Sequence, residues 1–98
     1  MLYISSVLTL VIYDISETKS RTKLSKYLQS FGLKRIQYSG FLGELDGNDR
    51  QILSKEVKKY VSGEDSIYVI PLCERCVRLV KIVSENEVNL EDENVKIV

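Results

Sequence analysis

The apolar run Leu8-Thr9-Leu10-Val11-Ile12-Tyr13 ends abruptly at Asp14. Leu8, Leu10 and Ile12 fall on one side of an extended chain and Val7, Val11 and Tyr13 on the other, so both faces are largely apolar. This predicts a central strand over Val7 to Asp14. From Ser16 to Gly32 the period changes: Leu24, Tyr27, Leu28 and Phe31 recur at helical spacing, while Lys19, Lys23, Lys26 and Ser30 fall elsewhere. Gly32 suits the position past the helix end, where a positive φ carries no steric cost. Two short extended segments follow, Leu33 to Gln37 and Gly40 to Leu45, around Tyr38-Ser39. A second helix is predicted with Asn48 as its cap and Gln51 closing a capping box. Leu53, Val57, Tyr60 and Val61 form its apolar stripe, and Ser62-Gly63 ends it. Ser66 to Leu72 reads as a strand with Pro71 near its end, where a missing amide hydrogen costs least.

That order, β-α-β-β-α-β, is the ferredoxin-like α+β arrangement. Two helices with one apolar face each cover one side of the sheet and leave the other in need of a partner. Val77 to Val83 and Val95 to Val98 read as additional C-terminal strands. Between them Glu85 to Glu93 holds five acidic residues and is expected to run through solvent. A chain of 98 residues implies one domain over residues 1–98. Residues 77–98 are its C-terminal extension, expected to take part in dimerisation.

Charge refines this picture because it cancels overall but not locally. Residues 1–43 carry six basic side chains against Asp14 and Glu17, a net of +4, and the remainder carries eight basic against twelve acidic, a net of −4. A neutral chain can therefore present a positive face. No apolar run approaches the roughly 18 residues of a membrane span, and no secretory leader pattern is visible, so a cytoplasmic protein with no membrane partner is expected.

Two cysteines, Cys73 and Cys76, are too few for a disulfide-stapled secreted scaffold. Their spacing is half that of a zinc site, but the chain has no histidine and no second cysteine pair, so a tetrahedral site would need two subunits. A thioredoxin-like role fits poorly, because that chemistry wants the pair at a helix start after a strand within a suitable fold. The pair reads as structural or incidental, a local disulfide included if the source is a hot-living organism.

Several stretches together resemble one family. They are Val11-Ile12-Tyr13-Asp14-Ile15, Arg21 through Leu24 with Leu28, Gly32-Leu33-Lys34-Arg35-Ile36-Gln37-Tyr38-Ser39, Phe41, Gly43-Glu44-Leu45 and Pro71-Leu72-Cys73. In order and spacing, over residues 7 to about 76, the chain resembles the small CRISPR-associated endoribonuclease family, the non-integrase partner of the spacer-acquisition complex. The resemblance implies a ferredoxin-like homodimer, an integrase partner in a hetero-oligomeric complex, and RNA or DNA as ligand. It also implies metal-dependent cleavage in which strand-end aspartates of two subunits face each other. Carried over residue by residue, Asp14 becomes the catalytic metal ligand with Tyr13 beside it, and Arg21, Lys23, Arg35, Ser39 and Phe41 become the nucleic-acid contacts. Lys23 stands where some relatives have arginine, replacing a planar fork by a point charge. Gly40 stands where an apolar residue is common, which is expected to loosen the strand before Phe41.

Elementary chemistry agrees with a shared site. Phosphodiester hydrolysis needs an activated water and neutralisation of charge on the phosphoryl oxygens, which magnesium, or manganese in its place, can supply. Magnesium keeps several waters, so one or two carboxylates plus substrate oxygens suffice. Glu17 is the only other acidic residue near Asp14 in sequence; a second Asp14 across a two-fold axis would complete the set.

Each residue also has a plainer role open to it. Asp14 could cap a helix or simply be solvated, and Arg21 and Lys23 could be solvated charges on an early helical turn. Arg35 could pair with Glu44 on the neighbouring strand. Phe41 could be core or dimer contact, and Ser39 could close the turn through backbone. Three functions compete accordingly: a magnesium-dependent endonuclease of spacer acquisition and antiviral defence, a non-catalytic homodimeric adaptor that bridges integrase subunits and binds spacer DNA, and a small regulatory or toxin domain on the same common fold.

Overall fold

A computed structural model describes residues 6–85 and the backbone of residues 96–97. Strand β1 (Val7–Asp14) lies between β3 (Gly40–Leu45) and β4 (Ser66–Leu72), and β2 (Lys34–Gln37) flanks β3, giving the order β2-β3-β1-β4. All three pairings are antiparallel. With helix α1 (Thr18–Ser30) after β1 and α2 (Gly47–Glu56) after β3, this is the expected ferredoxin-like α+β fold.

Strand β1 is central because it is paired on both edges, with its helix-side face buried and its other face covered at Leu8 and partly at Leu10. Val11, Tyr13 and Ile15 pack with Leu24 and Leu28 of α1, Leu53 of α2, Phe41 and Leu45 of β3, and Val57 in a 3-10 turn (Val57–Tyr60) that prolongs α2. Each of these side chains, fully buried, stabilises the fold by about 1.5–3 kcal/mol relative to exposure. The opposite face carries a smaller cluster of Leu8, Leu42 and Val77, with Leu10, Ile36 and Leu72 against it.

Two glycines are explained by geometry. Gly32 has φ +85° and donates its N–H to the Gln29 carbonyl at 2.9 Å, closing α1 as expected. Gly40 does not loosen its strand. It is buried opposite Ile12, and a Cβ there would lie 3.3 Å from Gln37 Cβ and 3.7 Å from Ile12 Cγ2, so the missing side chain lets the two strands and Ile12 close up.

Three expectations are corrected. Asp46, not Asn48, caps α2: its backbone is extended and its carboxylate accepts from the Asp49 N–H at 2.7 Å, so the helix starts one residue before Asn48. Val77 to Val83 is a strand only at Lys81–Ile82. Residues Glu74–Leu79 form a short helix, α3, followed by β5 (Lys81–Ile82). Cys73 caps this helix, and its buried residue Val77 packs with Leu8 and Leu42 on the second face of the sheet. The sheet's second side is therefore partly covered by the chain itself. The closing strand is present as β6 (Lys96–Ile97), parallel to β5. The acidic stretch beyond Glu85 lies outside the described residues.

The turn after β1 is held across the chain. Asp65 accepts from the Ser16 N–H at 3.0 Å, the Ser16 hydroxyl at 3.1 Å and the Ser62 N–H at 3.2 Å. The Ser16 N–H bond, supported by those of Ser62, holds the Asp65 carboxyl below its ordinary value of 3.8. A depressed folded-state value stabilises the fold above the unfolded value and is lost as pH falls through the folded one. In thermal unfolding, Asp65→Ala should melt below the parent near pH 7, the gap closing as pH falls below about 4. Separately, Asp46→Ala should cost about 1 kcal/mol, lowering Tm by about 4–8 °C. Asn48→Ala should stay within about 0.5 kcal/mol of the parent.

Candidate nucleic-acid interface

Asp14 and Tyr13 are neighbours in sequence and opposites in space, because successive residues of a strand face opposite sides. Asp14 is exposed and shares its side with Ile12 and Leu10. Tyr13 lies in the helix-side core at 6% exposure, its ring stacked on Phe41 with centroids 6.4 Å apart. Burial raises the Tyr13 phenol above its usual range, the Arg35 charge opposing it. Tyr13 is thus a neutral core residue at physiological pH, and the expected side-by-side pairing with Asp14 is corrected.

Asp14 closes the β1–β4 ladder opposite Ser66. On the same face, Ile12 is 39% and Tyr68 57% exposed, and the two are register partners. An open apolar pair thus adjoins the carboxylate. Among the described residues no three metal-ligating side chains group together. One hard oxygen donor at an accessible strand end fits a magnesium ion whose other ligands are waters, substrate oxygens or a second copy's carboxylate.

Arg21 and Arg35 meet around Tyr38 at the same end of the sheet, on the helix side. Arg35 on β2 pairs across with Phe41, not with Glu44, whose partner in β1 is Leu8 on the other face. The ion pair open to Arg35 in sequence is therefore not formed. Its guanidinium instead donates to Ser25 Oγ of α1 at 2.6 Å and lies 5.2 Å from the Phe41 ring centroid. Tyr38, 70% exposed in the β2–β3 turn, has the Arg35 guanidinium 6.0 Å and the Arg21 guanidinium 5.9 Å from its ring centroid. Arg21 donates to the carbonyls of Ile15 at 2.9 Å and Ser16 at 3.1 Å, and to Thr18 Oγ1 at 2.9 Å. These bonds use part of its five-donor fork. Lys23 is exposed on α1. Among the described residues, none of these three cations has a carboxylate within 4 Å.

Two other anticipated contacts change character. Phe41 is fully buried, with Tyr13 and Arg35 beside its ring, so it offers no face to a base and its assignment as a nucleic-acid contact is corrected to core. Ser39 acts through its backbone, its carbonyl accepting from the Tyr13 N–H at 3.1 Å. Tyr38, open in sequence to core packing or to base stacking, is the exposed aromatic of the cluster. The residue that sequence reasoning missed is Asp65: no local pattern could signal a carboxylate that fixes a turn 49 residues away.

A model of the CRISPR-associated protein Cas2 family matches residues 7–80. A protein of Archaeoglobus fulgidus named CRISPR-associated endoribonuclease Cas2 1 is 48% identical over 88 residues, covering 89% of this chain and 94% of that one. One of Korarchaeum cryptofilum, named CRISPR-associated endoribonuclease Cas2, is 35% identical over 71% of this chain and 76% of its own length. Among solved structures, a hypothetical protein from Thermus thermophilus superposes with TM-score 0.65 at 30% identity, covering 70% of this chain and 84% of that one. A structure described as cas2 gives 0.59, also at 30%, covering 68% and 77%. The match spans the whole sheet and both long helices, and the chain belongs to the Cas2 family of CRISPR-associated proteins.

Proposed function

We propose that the chain is a homodimeric, nucleic-acid-binding adaptor of CRISPR spacer acquisition that bridges integrase subunits and grips the captured DNA. The observation that carries this reading is the exposed Tyr38 ring flanked by Arg21 and Arg35, whose guanidinium groups are oriented by protein oxygens without a nearby carboxylate among the described residues. Fixed donors without an internal counter-charge suit phosphate oxygens, and an exposed ring suits a sugar or base. Grip of this kind does not require cleavage. Ile12 and Tyr68 offer a second copy an apolar seat beside Asp14.

A second reading, a magnesium-dependent endonuclease acting on single-stranded RNA or DNA, is favoured by the exposed Asp14 carboxylate at the strand end and by the relatives named endoribonuclease. Asp14 would hold the ion together with the Asp14 of a second copy. When bound, the ion would supply an activated water and charge neutralisation. This chain's own contribution is to orient that carboxylate through the clamped turn that follows it.

Binding to duplex DNA, followed against salt, tests the grip. Arg21→Ala and Lys23→Ala should each weaken binding uniformly across sequences and flatten the log–log salt slope by about 0.9. Arg35→Lys keeps the charge but loses the fork, so it should weaken binding while leaving that slope nearly intact. Unchanged binding in all three would refute the interface.

Asp14→Asn separates the readings. The adaptor requires that acquisition and binding persist in this variant. The endonuclease requires that magnesium-dependent cleavage of labelled RNA or DNA be lost with binding retained.

A further inference from the structure

The Cys73-Glu74-Arg75-Cys76 segment occupies a position its sequence alone did not reveal. Strand β4 ends at Leu72, Cys73 has the extended backbone of a helix cap, and Cys76 lies in the first turn of α3. The Cys76 N–H donates to Cys73 Sγ at 3.4 Å. Both thiols are free and exposed. Cys73 borders an open cleft of about 590 Å³, lined with it by Glu74, Arg75, Arg78 and Leu79. The pair thus lies at a helix start directly after a strand, the local setting that a redox pair favours, although on a ferredoxin-like fold.

We propose that Cys73 and Cys76 form a reversible dithiol–disulfide pair that exchanges with anionic, low-molecular-weight disulfides, Cys73 attacking and Cys76 resolving. Residues three apart in a helical turn are side-chain neighbours, and the cap bond already turns Cys73 Sγ towards Cys76. The two thiols are not equivalent. The Cys76 backbone N–H, with further hydrogen bonds from the Cys76 side chain and the Arg75 N–H, lowers Cys73 below the ordinary thiol value. The hydrogen bond to Cys73 and the Cys73 charge raise Cys76. The attacking thiolate and the later nucleophile are thereby distinguished.

The cleft supplies the partner's chemistry. Arg78 is paired with Glu74 at 2.8 Å, while Arg75 has no carboxylate within 4 Å among the described residues. Leu79, at 72% exposure, gives an apolar contact beside it. A small disulfide bearing carboxylates, of the glutathione type, matches this surface.

The exchange balances in two steps. Cys73 thiolate, its proton released to water, attacks one sulfur of the external disulfide; a mixed disulfide forms and one external thiolate leaves, taking up that proton. Cys76 then loses its proton, attacks Cys73 Sγ, and expels the second external thiolate, which is protonated. Two protein thiols are oxidised by two electrons, and one external disulfide is reduced to two thiols.

The test uses the full reduced chain, equilibrated over ratios of reduced to oxidised glutathione, acid-quenched, alkylated and weighed intact. The expected product is a monomer two hydrogens lighter, both thiols disappearing together. Cys76→Ser should accumulate glutathione on Cys73. Cys73→Ser, which keeps a capping side chain and so the helix start, should react with oxidised glutathione at least about tenfold more slowly than Cys76→Ser. Thiols still reduced at the most oxidising ratio, equal rates in the two variants, a disulfide between chains, or zinc held stoichiometrically by both cysteines would each overturn the proposal.

Discussion

Everything functional is sorted by the alternation of one strand. Because β1 is paired on both edges and its helix-side face is buried, its register has no freedom to slip. A one-residue shift would exchange Val11 and Tyr13 for Leu10 and Ile12 against the helices. Parity then dictates that Tyr13 goes to the core and Asp14 to the open face. The same constraint runs across the sheet: Phe41 opposite Val11 is core, whereas Gly40 opposite Ile12 belongs to the open side.

The end of that strand is fixed by opposing charges. Asp65 takes the Ser16 N–H, while Arg21 takes the Ile15 and Ser16 carbonyls, so the turn after Asp14 is gripped through its donors by an anion and through its acceptors by a cation. Charge-assisted bonds of this kind are among the stronger ones available to backbone. They also explain why Arg21 can be both structural and exposed to a ligand. Part of its fork fastens the turn, and the fastening orients the remainder beside Tyr38. A positive side chain held in this way loses less freedom on meeting a phosphate than a free one would.

How much of this was legible follows from which patterns are local. The central strand, the β2–β3 pair, Gly32 and the ferredoxin-like order could be read because period, turn residues and apolar stripes lie within a few positions of one another. Asp46 could not be separated from Asn48 as a cap, since both are good capping residues and only the backbone entry into α2 distinguishes them. The apolar run from Val77 misled because a short buried run has no decisive period; α3 exists because Val77 can be buried on Leu8 and Leu42, a tertiary fact. At the site, the resemblance picked out Asp14, Arg21 and Arg35 as residues, but not the face each occupies. Tyr13 beside Asp14 and Phe41 as a nucleic-acid contact were both carried over from the resemblance, which matches positions along the chain and not the side of the sheet that each side chain takes.

Those faces bear on mechanism. The Arg21–Tyr38–Arg35 cluster lies on the helix side of the sheet end, where Arg35 reaches Ser25 of α1, and the Asp14 carboxylate faces the other side. A strand gripped by the cations of one copy therefore does not bring its phosphates to the carboxylate of that copy along the same surface. Cutting would require a second copy to contribute across the open face, where Ile12 and Tyr68 adjoin Asp14, whereas holding requires only the cluster. Both readings ask for a second copy, but the grip of the adaptor reading uses a cluster that a single chain already possesses. The nuclease reading asks in addition that the two copies close the open face tightly enough for two like charges to share an ion, an assembly whose apposed carboxylates repel until a divalent cation enters.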